Sequence, residues 1–514
     1  MNWKKGLALI LQGCLVAGML VGCGGSDAKE SGGDAADTSK GQKMETVNVH
    51  LPKSVSFTDE GIKAVEDEMN KIMAEKYGVQ IDLNFIDLGN WVTQSNMALT
   101  TDECDVICLV NSPLNTFVNN GQLEPLTEYF ANATDEMKAQ FTEEKLQATT
   151  FNGELYSLSN AVWYGNGSAA FMNKRIMDEM QIDPESIDSI EKFDELLYQV
   201  HEKYPDIYTM VPGVSVGKLV DTWYFGDGIG DVDGKYGVIP VFDEDFDENN
   251  MKVEPLFSTD GFKEIANYIY KWYQDGLVLP DVVSNTIDGR TYIQNDQAFA
   301  FLVRQGGLGY KEKVDAGDEP WYTSPALKGS ACYSMTLTTC SYGISSNSKH
   351  KEEAWTVLQA LFSDKEVATL FVEGIEGKDY VVTEDNLADF PEGVDMSNSA
   401  YGGIYQSWLT TNPMICDATP VPLGKNLKET STAFNESLYY SPAIGFAWDS
   451  SECTDEMTAV ANVYDEYYKA LMSGLIDPEV GIPEALEALE AAGMDKILAS
   501  QQEQLDEFVK NKNK

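Results

Sequence analysis

The sequence is poor in histidine, in basic residues and in long apolar runs. Its three histidines, His50, His201 and His350, share no metal-ligand spacing, and its eight cysteines form no zinc-binding pattern. After residue 22 no stretch is apolar over the roughly 18 residues that a membrane-spanning helix needs. We therefore expect no metal site, no cofactor and no spanning helix in the folded body.

The scarcity of basic residues gives the chain a strongly negative charge. It has 36 lysines and arginines against 83 acidic residues, a formal net charge of -47. Such a surface repels nucleic acids and anionic lipid headgroups, so we expect no nucleic-acid partner. An anionic solute is disfavoured but stays open, because a local pocket can oppose the overall field.

The N-terminus has the features of an export signal. Lys4 and Lys5 precede an uncharged run that ends in Leu20-Val21-Gly22-Cys23. This ending resembles the lipobox of bacterial lipoproteins, which implies removal of residues 1–22 and lipidation of Cys23. Residues 24–45 contain no aromatic residue and read as a flexible tether. The predicted location is the extracellular face of a bacterial cell membrane, held there through lipid only.

Six cysteines remain after Cys14 and Cys23 are set aside: Cys104, Cys108, Cys332, Cys340, Cys416 and Cys453. Cys104 and Cys108 flank a predicted strand, and four strand residues span about 13 Å, which is beyond the reach of a disulfide. Whether other pairs oxidise stays open.

The first folded segment alternates strands with helices. Residues 47–51 read as a strand, and Thr58 can cap a helix whose apolar stripe runs to Met73 before Gly78. Residues 79–85 alternate apolar and polar residues, and 105–110 form a further strand. This order predicts an α/β lobe with a mostly parallel sheet, whose ligands bind beyond the carboxyl ends of the strands.

Later segments are predicted in the same way. Residues 151–156 form a hairpin with an Asn-Gly turn. Helices are expected over 171–181, 190–204 and 259–274, strands over 298–303 and 334–344, and helices again over 349–362 and through the C-terminal part. The acidic run 243–248 lacks the glycine and glutamate of a calcium loop and reads as a surface loop.

One catalytic pattern is present. Residues 213–217 match G-x-S-x-G, the nucleophile elbow of α/β-hydrolases, with Ser215 as the nucleophile. The hydrolase order requires a later histidine, and His350 lies in a polar helix start. We therefore expect no enzyme, and keep a surface serine hydrolase using Ser215 as an alternative.

Several segments in order resemble the extracellular solute-binding proteins of ABC importers. These are 105–108 followed by Gly121-Gln122-Leu123-Glu124-Pro125-Leu126, then 152–158, 171–174, 298–301 and 344–355. The C-terminal third is similar to the LipO-like subfamily with a DUF3502-type region, through 374–380, 445–449 and 474–478. Asp379 stands where that group has histidine.

The resemblance implies a two-lobed periplasmic-binding-protein-like α/β fold of type II, with a ligand cleft between lobes joined by several crossovers. The expected organisation is a signal peptide (1–22), a lipidated tether (23–45), a first lobe (46–160 and 297–335) and a second lobe (161–296 and 336–514, including a helical C-terminal region). It also implies a small-molecule solute, delivery to ABC permease subunits and a monomeric receptor.

Aromatic residues near strand ends and crossovers suggest the solute. A sugar has an apolar C–H face that stacks on an indole and a hydroxyl rim that hydrogen-bonds to polar side chains. Related proteins commonly bind oligosaccharides, so we predict a carbohydrate. A peptide or anionic solute, and a surface adhesin or sensor without a permease, are the alternatives. The predicted ligand residues are Asp87, Trp91, Asn111, Ser112, Trp163, Tyr164, Trp223, Arg304 and Trp408.

Overall fold

The computed structural model describes residues 44–110, 114–213, 219, 226–231, 233–305 and 320–512. Its strands are β1 (Thr46–Lys53), β2 (Gln80–Asp87), β3 (Val106–Val110), β4 (Thr150–Phe151), β5 (Glu154–Leu155), β6 (Leu158–Ser159), β7 (Gly165–Asn173), β8 (Tyr208–Met210), β9 (Asp227–Gly228), β10 (Val238–Ile239), β11 (Ala298–Gln305), β12 (Trp321–Thr323), β13 (Lys328–Cys332), β14 (Cys340–Ile344), β15 (Val381–Val382), β16 (Leu387–Asp389), β17 (Thr419–Pro420) and β18 (Tyr439–Tyr440).

The α-helices in these ranges are α1 (Asp59–Ile72), α2 (Trp91–Ala98), α3 (Leu114–Asn119), α4 (Thr127–Ala131), α5 (Asp135–Lys138), α6 (Glu143–Ala148), α7 (Lys174–Met180), α8 (Ile190–Lys203), α9 (Asp260–Gln274), α10 (Gly289–Gln294), α11 (Ser334–Leu337), α12 (Lys351–Ser363), α13 (Lys365–Glu373), α14 (Leu427–Ser437), α15 (Thr454–Leu471), α16 (Pro478–Ala491) and α17 (Met494–Lys512). No helix of the described part is long and apolar enough to cross a bilayer. The predicted signal peptide, Cys23 and Ser215 lie outside the described residues.

The first sheet has the strand order β2-β1-β3-β14-β6. β1 is parallel to β2 and β3, whereas β14 is antiparallel to both β3 and β6. Val47, Val49 and Leu51 alternate along β1 and are fully buried. Each such side chain contributes roughly 1.5–3 kcal/mol on burial. We call this sheet and the helices that share its core, chiefly α1, α12 and α13, the first lobe.

Helix α1 forms as the sequence predicts. The Thr58 hydroxyl accepts a hydrogen bond from the Gly61 amide at 3.0 Å, which caps the helix. Val65, Met69 and Met73 are fully buried on one face, and Gly78 ends the segment at a φ of 69°. The left-handed conformation at that end favours glycine, because a side chain would clash with the backbone.

The second sheet has the order β18-β13-β7-β11-β8, with β12 also paired to β7. The central strand β7 is buried from Gly167 to Asn173. The predicted helix over 171–181 is therefore wrong at its start. A short apolar run does not distinguish a strand from a helix, and the helix begins only at Lys174, where Asn173 caps it.

Two predicted lobe assignments are corrected. β11, expected in the first lobe, pairs antiparallel with β7, with Phe301 opposite Phe171. β14, α12 and α13, expected in the second lobe, belong to the first sheet and its core. The boundaries at 297–335 and 336–514 fail at these elements because the resemblance of short segments identifies the strands but not the sheet that receives them.

The second lobe, defined as the second sheet with the helices that share its core, includes the C-terminal helices. α7, α8 and α9 pack in one hydrophobic cluster with α15, α16 and α17. Trp272 on α9 and Trp448, which precedes α15, are buried there, and Trp272 Nε1 donates to Asp194 at 2.7 Å. The C-terminal region is therefore part of the second core.

The six cysteines of the described residues are all free thiols, and all but Cys416 are buried. Cys108 on β3 and Cys340 on β14 place their sulfur atoms 3.3 Å apart. Burial raises the pKa of Cys332 to about 12 and raises that of Cys340 well above its ordinary value. The thiolate, which is the reactive form, is therefore scarce at neutral pH.

We expect residues 24–514 to react slowly with iodoacetamide when folded and to label at all six cysteines after unfolding in guanidinium without reductant. Intact-mass spectrometry gives both counts, with a reductant-treated sample as the control. Rapid labelling of the folded chain, or fewer than six thiols after unfolding, would contradict this thiol assignment.

Candidate ligand cleft

The carboxyl ends of β1, β2 and β3 lie on one edge of the first sheet, because these strands are parallel. Asp87 ends β2 there with 71% of its side chain exposed, and its carboxylate lies 3.6 Å from the Lys53 ammonium at the end of β1. An exposed pair of this kind contributes at most about 1 kcal/mol to stability. Asp87 therefore remains accessible at this edge, and its role as a ligand residue stays a prediction.

A short helical turn, Gly403–Leu409, reaches the same edge. The Ser54 amide, directly after β1, donates to Gln406 Oε1 at 3.0 Å. Trp408 lies on this turn with 42% of its surface exposed, whereas Trp91, Trp272, Trp321, Trp355 and Trp448 are buried. An exposed indole at the carboxyl edge of a sheet provides an apolar face to a ligand.

Asn160 holds the Trp408 segment in place. Its Nδ2 donates to the carbonyl oxygens of Trp408, at 2.9 Å, and of Thr410. The Tyr342 hydroxyl donates to the carbonyl between them, that of Leu409. Three successive carbonyls are thus fixed by first-lobe side chains, so the backbone that carries the indole has little freedom.

Trp163 and Tyr164 lie on the crossover that joins β6 to β7. Trp163 is half-buried, and its ring meets Phe434 on α14 edge-on with centroids 5.7 Å apart. The Tyr164 ring lies 5.3 Å from the Lys145 ammonium. Burial lowers the pKa of Lys145 to about 8. Tyr164 therefore packs within the hinge between the lobes, whereas Trp163 keeps part of its ring accessible.

Trp91 occupies a different position from the one its predicted role requires. It is the first residue of α2, only 3% exposed, and it belongs to the core of the first lobe. Asn90 before it is polar, but the Trp91 side chain lies in the core of the first lobe. In this conformation it contributes packing and no accessible face.

Four other predicted ligand residues cannot be placed in the same way. Asn111, Ser112 and Trp223 lie outside the described residues. Arg304 pairs with Ser168 through the β11–β7 ladder, and its side chain is outside the described part.

A partly open cavity of about 60 Å³ lies between the lobes. Asn115 and Phe151 line it from the first lobe, and Asp227, Ser334 and Trp448 line it from the second. Asn115 Nδ2 donates to the Trp448 carbonyl oxygen and so joins the two walls. The cavity holds a few water molecules at most and is too small for a sugar ring in this conformation.

These cavity residues are not among the ligand residues that the sequence predicts. Asn115 comes just after the predicted strand end at 111–113, and Asp227 lies in the glycine-rich run 226–230. The segment 445–449 carries part of the family resemblance, but its sequence alone does not predict a ligand contact. A glycine-rich run beside a carboxylate, and the residues just past a strand end, are signals that could have identified them.

Asp227 is the buried acid of this cavity. The Ser441 hydroxyl donates to its Oδ2 at 2.6 Å, which favours the charged form. Burial nevertheless raises the pKa of Asp227 to about 7. The carboxyl is therefore part protonated near neutral pH, and can either donate or accept a hydrogen bond. The described residues contain no cluster of three or more potential metal ligands.

Asp227 should make stability depend on pH. The unfolded carboxyl ionises near its ordinary value, whereas the folded one keeps its proton up to about pH 7. Between these values the folded state binds more protons, so the free energy of unfolding falls as pH rises and levels off above about 7. As pH rises from about 4 to 7, we expect the melting temperature of Asp227→Asn to fall less than that of the wild type.

The control for this comparison is Asp247→Asn, which changes an exposed acid of the same lobe. Thermal unfolding of the three proteins across this range measures the effect. A melting-temperature difference between Asp227→Asn and wild type that does not change with pH would contradict the assignment.

Known proteins share this architecture. The chain is 26% identical over 522 residues, 99% of each sequence, to a carbohydrate ABC transporter substrate-binding protein of Streptococcus pneumoniae serotype 4 (strain ATCC BAA-334 / TIGR4). The crystal structure of the N-glycan transport solute binding protein NgtS from Streptococcus pneumoniae matches 91% of this chain and 100% of its own with a TM-score of 0.76 at 23% identity. An HMO-binding, ABC-transporter-associated solute binding protein from Bifidobacterium longum infantis ATCC 15697 matches 90% of this chain and 99% of its own with a TM-score of 0.59 at 15% identity.

These structures confirm the periplasmic-binding-protein-like α/β fold. Residues 442–510 match a domain of unknown function, DUF3502, as the resemblance of the C-terminal third predicts. Residues 56–368 match a family of binding proteins, which supports the expectation that the chain is not an enzyme. By this match over more than half of its length, the chain belongs to the bacterial extracellular solute-binding protein family.

Proposed function

We propose that this chain is a lipid-anchored receptor that binds an oligosaccharide between its lobes and delivers it to the permease subunits of an ABC transporter. Its family binds solutes outside the cell. The relative that aligns with it from end to end is a carbohydrate transporter component, and NgtS has been crystallised with Man1GlcNAc and Man5GlcNAc. These relatives favour a carbohydrate for this chain.

The observation that carries the proposal is the exposed indole of Trp408 at the carboxyl edge of the first sheet. Asn160 and Tyr342 hold its backbone, so the ring has a fixed place before a ligand arrives. Stacking of an apolar sugar face on a fixed indole loses little conformational entropy. Asp87, at the same edge, offers a hydrogen-bond acceptor to sugar hydroxyls.

Charge favours a neutral sugar over an anionic solute. The whole chain carries -47, the Asp87 carboxylate lies at the carboxyl edge of the first sheet, and Asp227 lines the cavity between the lobes. An anion entering this cleft would meet acidic groups on both walls. Asn111, Ser112, Trp223 and Arg304 remain predicted ligand residues, and a peptide remains the second candidate solute.

We expect neutral oligosaccharides to raise the melting temperature of residues 24–514 progressively as ligand concentration rises above the Kd, because a ligand that binds only the folded state stabilises it. Trp408→Ala should weaken the binding of the stabilising glycan by about ten-fold, the loss of one good stacking contact. Its own melting temperature should change little, since the ring is 42% exposed.

The matched control is Tyr208→Ala, which removes an exposed aromatic ring, 41% accessible, from β8 of the second sheet. Glycan affinity should be unchanged in this variant. Stabilisation by peptides or phosphoesters and by no glycan would refute the carbohydrate assignment. Equal losses in the two variants would refute the role of Trp408.

The anchor is a separate part of the proposal. Lipidation of Cys23 would hold the receptor on the outer face of the membrane, and the tether of residues 24–45 would let the folded body reach the permease as a monomer. A tether raises the local concentration of the two partners without any new contact. Two acyl chains bind a membrane stably, whereas a single one dissociates readily.

We expect the chain expressed in a bacterial host to incorporate a clickable fatty acid and to sediment with the membrane fraction. Cys23→Ser should do neither, while its folded body binds the same glycan. Equal labelling of the two proteins would exclude Cys23 as the lipidated residue.

A further inference from the structure

An open groove of about 1080 Å³ lies beside the cavity that Asp227 lines. The two spaces share Phe151, Phe446 and Ala447 as lining residues. The cavity is too small for a sugar, but the groove has the volume of sites that hold drug-sized ligands or several sugar rings. A ligand longer than the cleft could therefore extend into it.

The first wall of this groove is α6 and the β4–β5 hairpin. Asn152 and Gly153 form the hairpin turn with φ values of 51° and 85°, the left-handed conformations of a tight two-residue turn. Asn152 is exposed at the tip, and Gln147 of α6 faces the groove beside it. This wall offers two side-chain amides on well-defined backbone.

The second wall belongs to the DUF3502 region. Gly445 approaches α6 so closely that a Cβ there would lie 2.9 Å from Gln147 Cγ and 3.0 Å from its carbonyl oxygen. The Gly445 amide also donates to Ser334 Oγ at 2.8 Å. Only glycine fits this position, whose φ is 90°. The segment after it therefore lies directly against the first lobe.

Aromatic rings and amides make up the inner surface of this second wall. Phe446 packs against Phe508 of α17 with ring centroids 5.7 Å apart, and both rings are half-buried. Gln504 of the same helix lies one turn before Phe508 and also lines the groove. Its side-chain amide bonds the Asp449 backbone, and the half-buried rings beside it suit the apolar face of a neutral sugar.

Charge in the groove is low for so acidic a chain. Its lining includes the acids Glu143 and Glu507 and the base Lys512, which leave one negative charge. Burial lowers the pKa of Lys512. An anionic polymer would gain little here, whereas an uncharged glycan requires no charge partner.

We propose that the DUF3502 region sets the length of the glycan that this receptor accepts, by forming the outer wall of the binding site through residues 445–447 and α17. The inner sugars occupy the cleft, and the outer sugars lie between Asn152 and Phe508. This inference rests on the proposed carbohydrate function. It gives the C-terminal region a role in selecting glycan length, which binding of a short sugar in the cleft does not need.

The test compares a short and a long member of one neutral glycan series on residues 24–514. The probes are disaccharides and pentasaccharides of the manno-, galacto- and gluco- series, with affinities from titration calorimetry. We expect Phe508→Ala to weaken pentasaccharide binding by about five-fold or more while disaccharide binding changes less than about two-fold.

A second variant keeps the test conclusive if Phe508→Ala does not fold. Asn152→Gly removes the opposite amide and keeps the left-handed turn, so it should fold and weaken the pentasaccharide only. The control is Val480→Ala on α16, which changes an exposed residue of the same region that does not line the groove. It should leave both affinities unchanged.

The possible failures are distinguishable. If the wild type binds glycans but the Phe508 and Asn152 variants lose affinity for both lengths equally, or for neither, the outer-wall role is wrong and the proposed function stands. If the wild type binds none of the probe glycans, both are wrong.

Discussion

β14 lies antiparallel to β3 over five residue pairs, from Cys340 opposite Val110 to Ile344 opposite Val106. By the time the chain reaches β14 it has built most of the second sheet, so this pairing returns it to the first. It fixes where the crossovers run and brings Tyr342 beneath the 408–410 carbonyls. The carboxyl edge of the first sheet, and the indole placed on it, depend on that ladder.

The C-terminal region depends on the same arrangement. Helices α15 to α17 complete the second core, and residues 445–448 cross from that core to the first lobe. The contacts of Asn115 with Trp448 and of Gln147 with Gly445 join the lobes at positions nearly 300 residues apart or more in sequence. A region that packs in one lobe and touches the other is suited to respond when the lobes move, as hinge closure requires.

Local features of the fold were predictable because they depend on neighbouring residues. The α1 stripe, its Thr58 cap and the Asn152-Gly153 turn follow from periodicity and backbone preference. The lobe assignments of β11 and β14 were not predictable, because the strands β7 and β3 with which they pair lie more than 100 residues earlier in the chain. Sequence alone contains no signal of which sheet receives a strand.

In the candidate site, too, local features were predictable and long-range packing was not. Asp87 and Trp408 were predicted from strand ends and aromatic position, and the structure places both at one exposed edge. Trp91 has similar neighbours in sequence but faces the core, because helix orientation, not local polarity, decides its burial. Asp227 and Trp448 reach the cavity through tertiary packing, which single-sequence reasoning does not capture.

The central claim is that a glycan binds between the lobes, against the carboxyl edge of the first sheet. A crystal structure of residues 24–514 with the glycan that stabilises them tests it most directly. The account predicts a sugar ring stacked on Trp408, with first-lobe and second-lobe residues on opposite sides of the same ligand. Density for the glycan on an outer face, with the space between the lobes unoccupied, would contradict it.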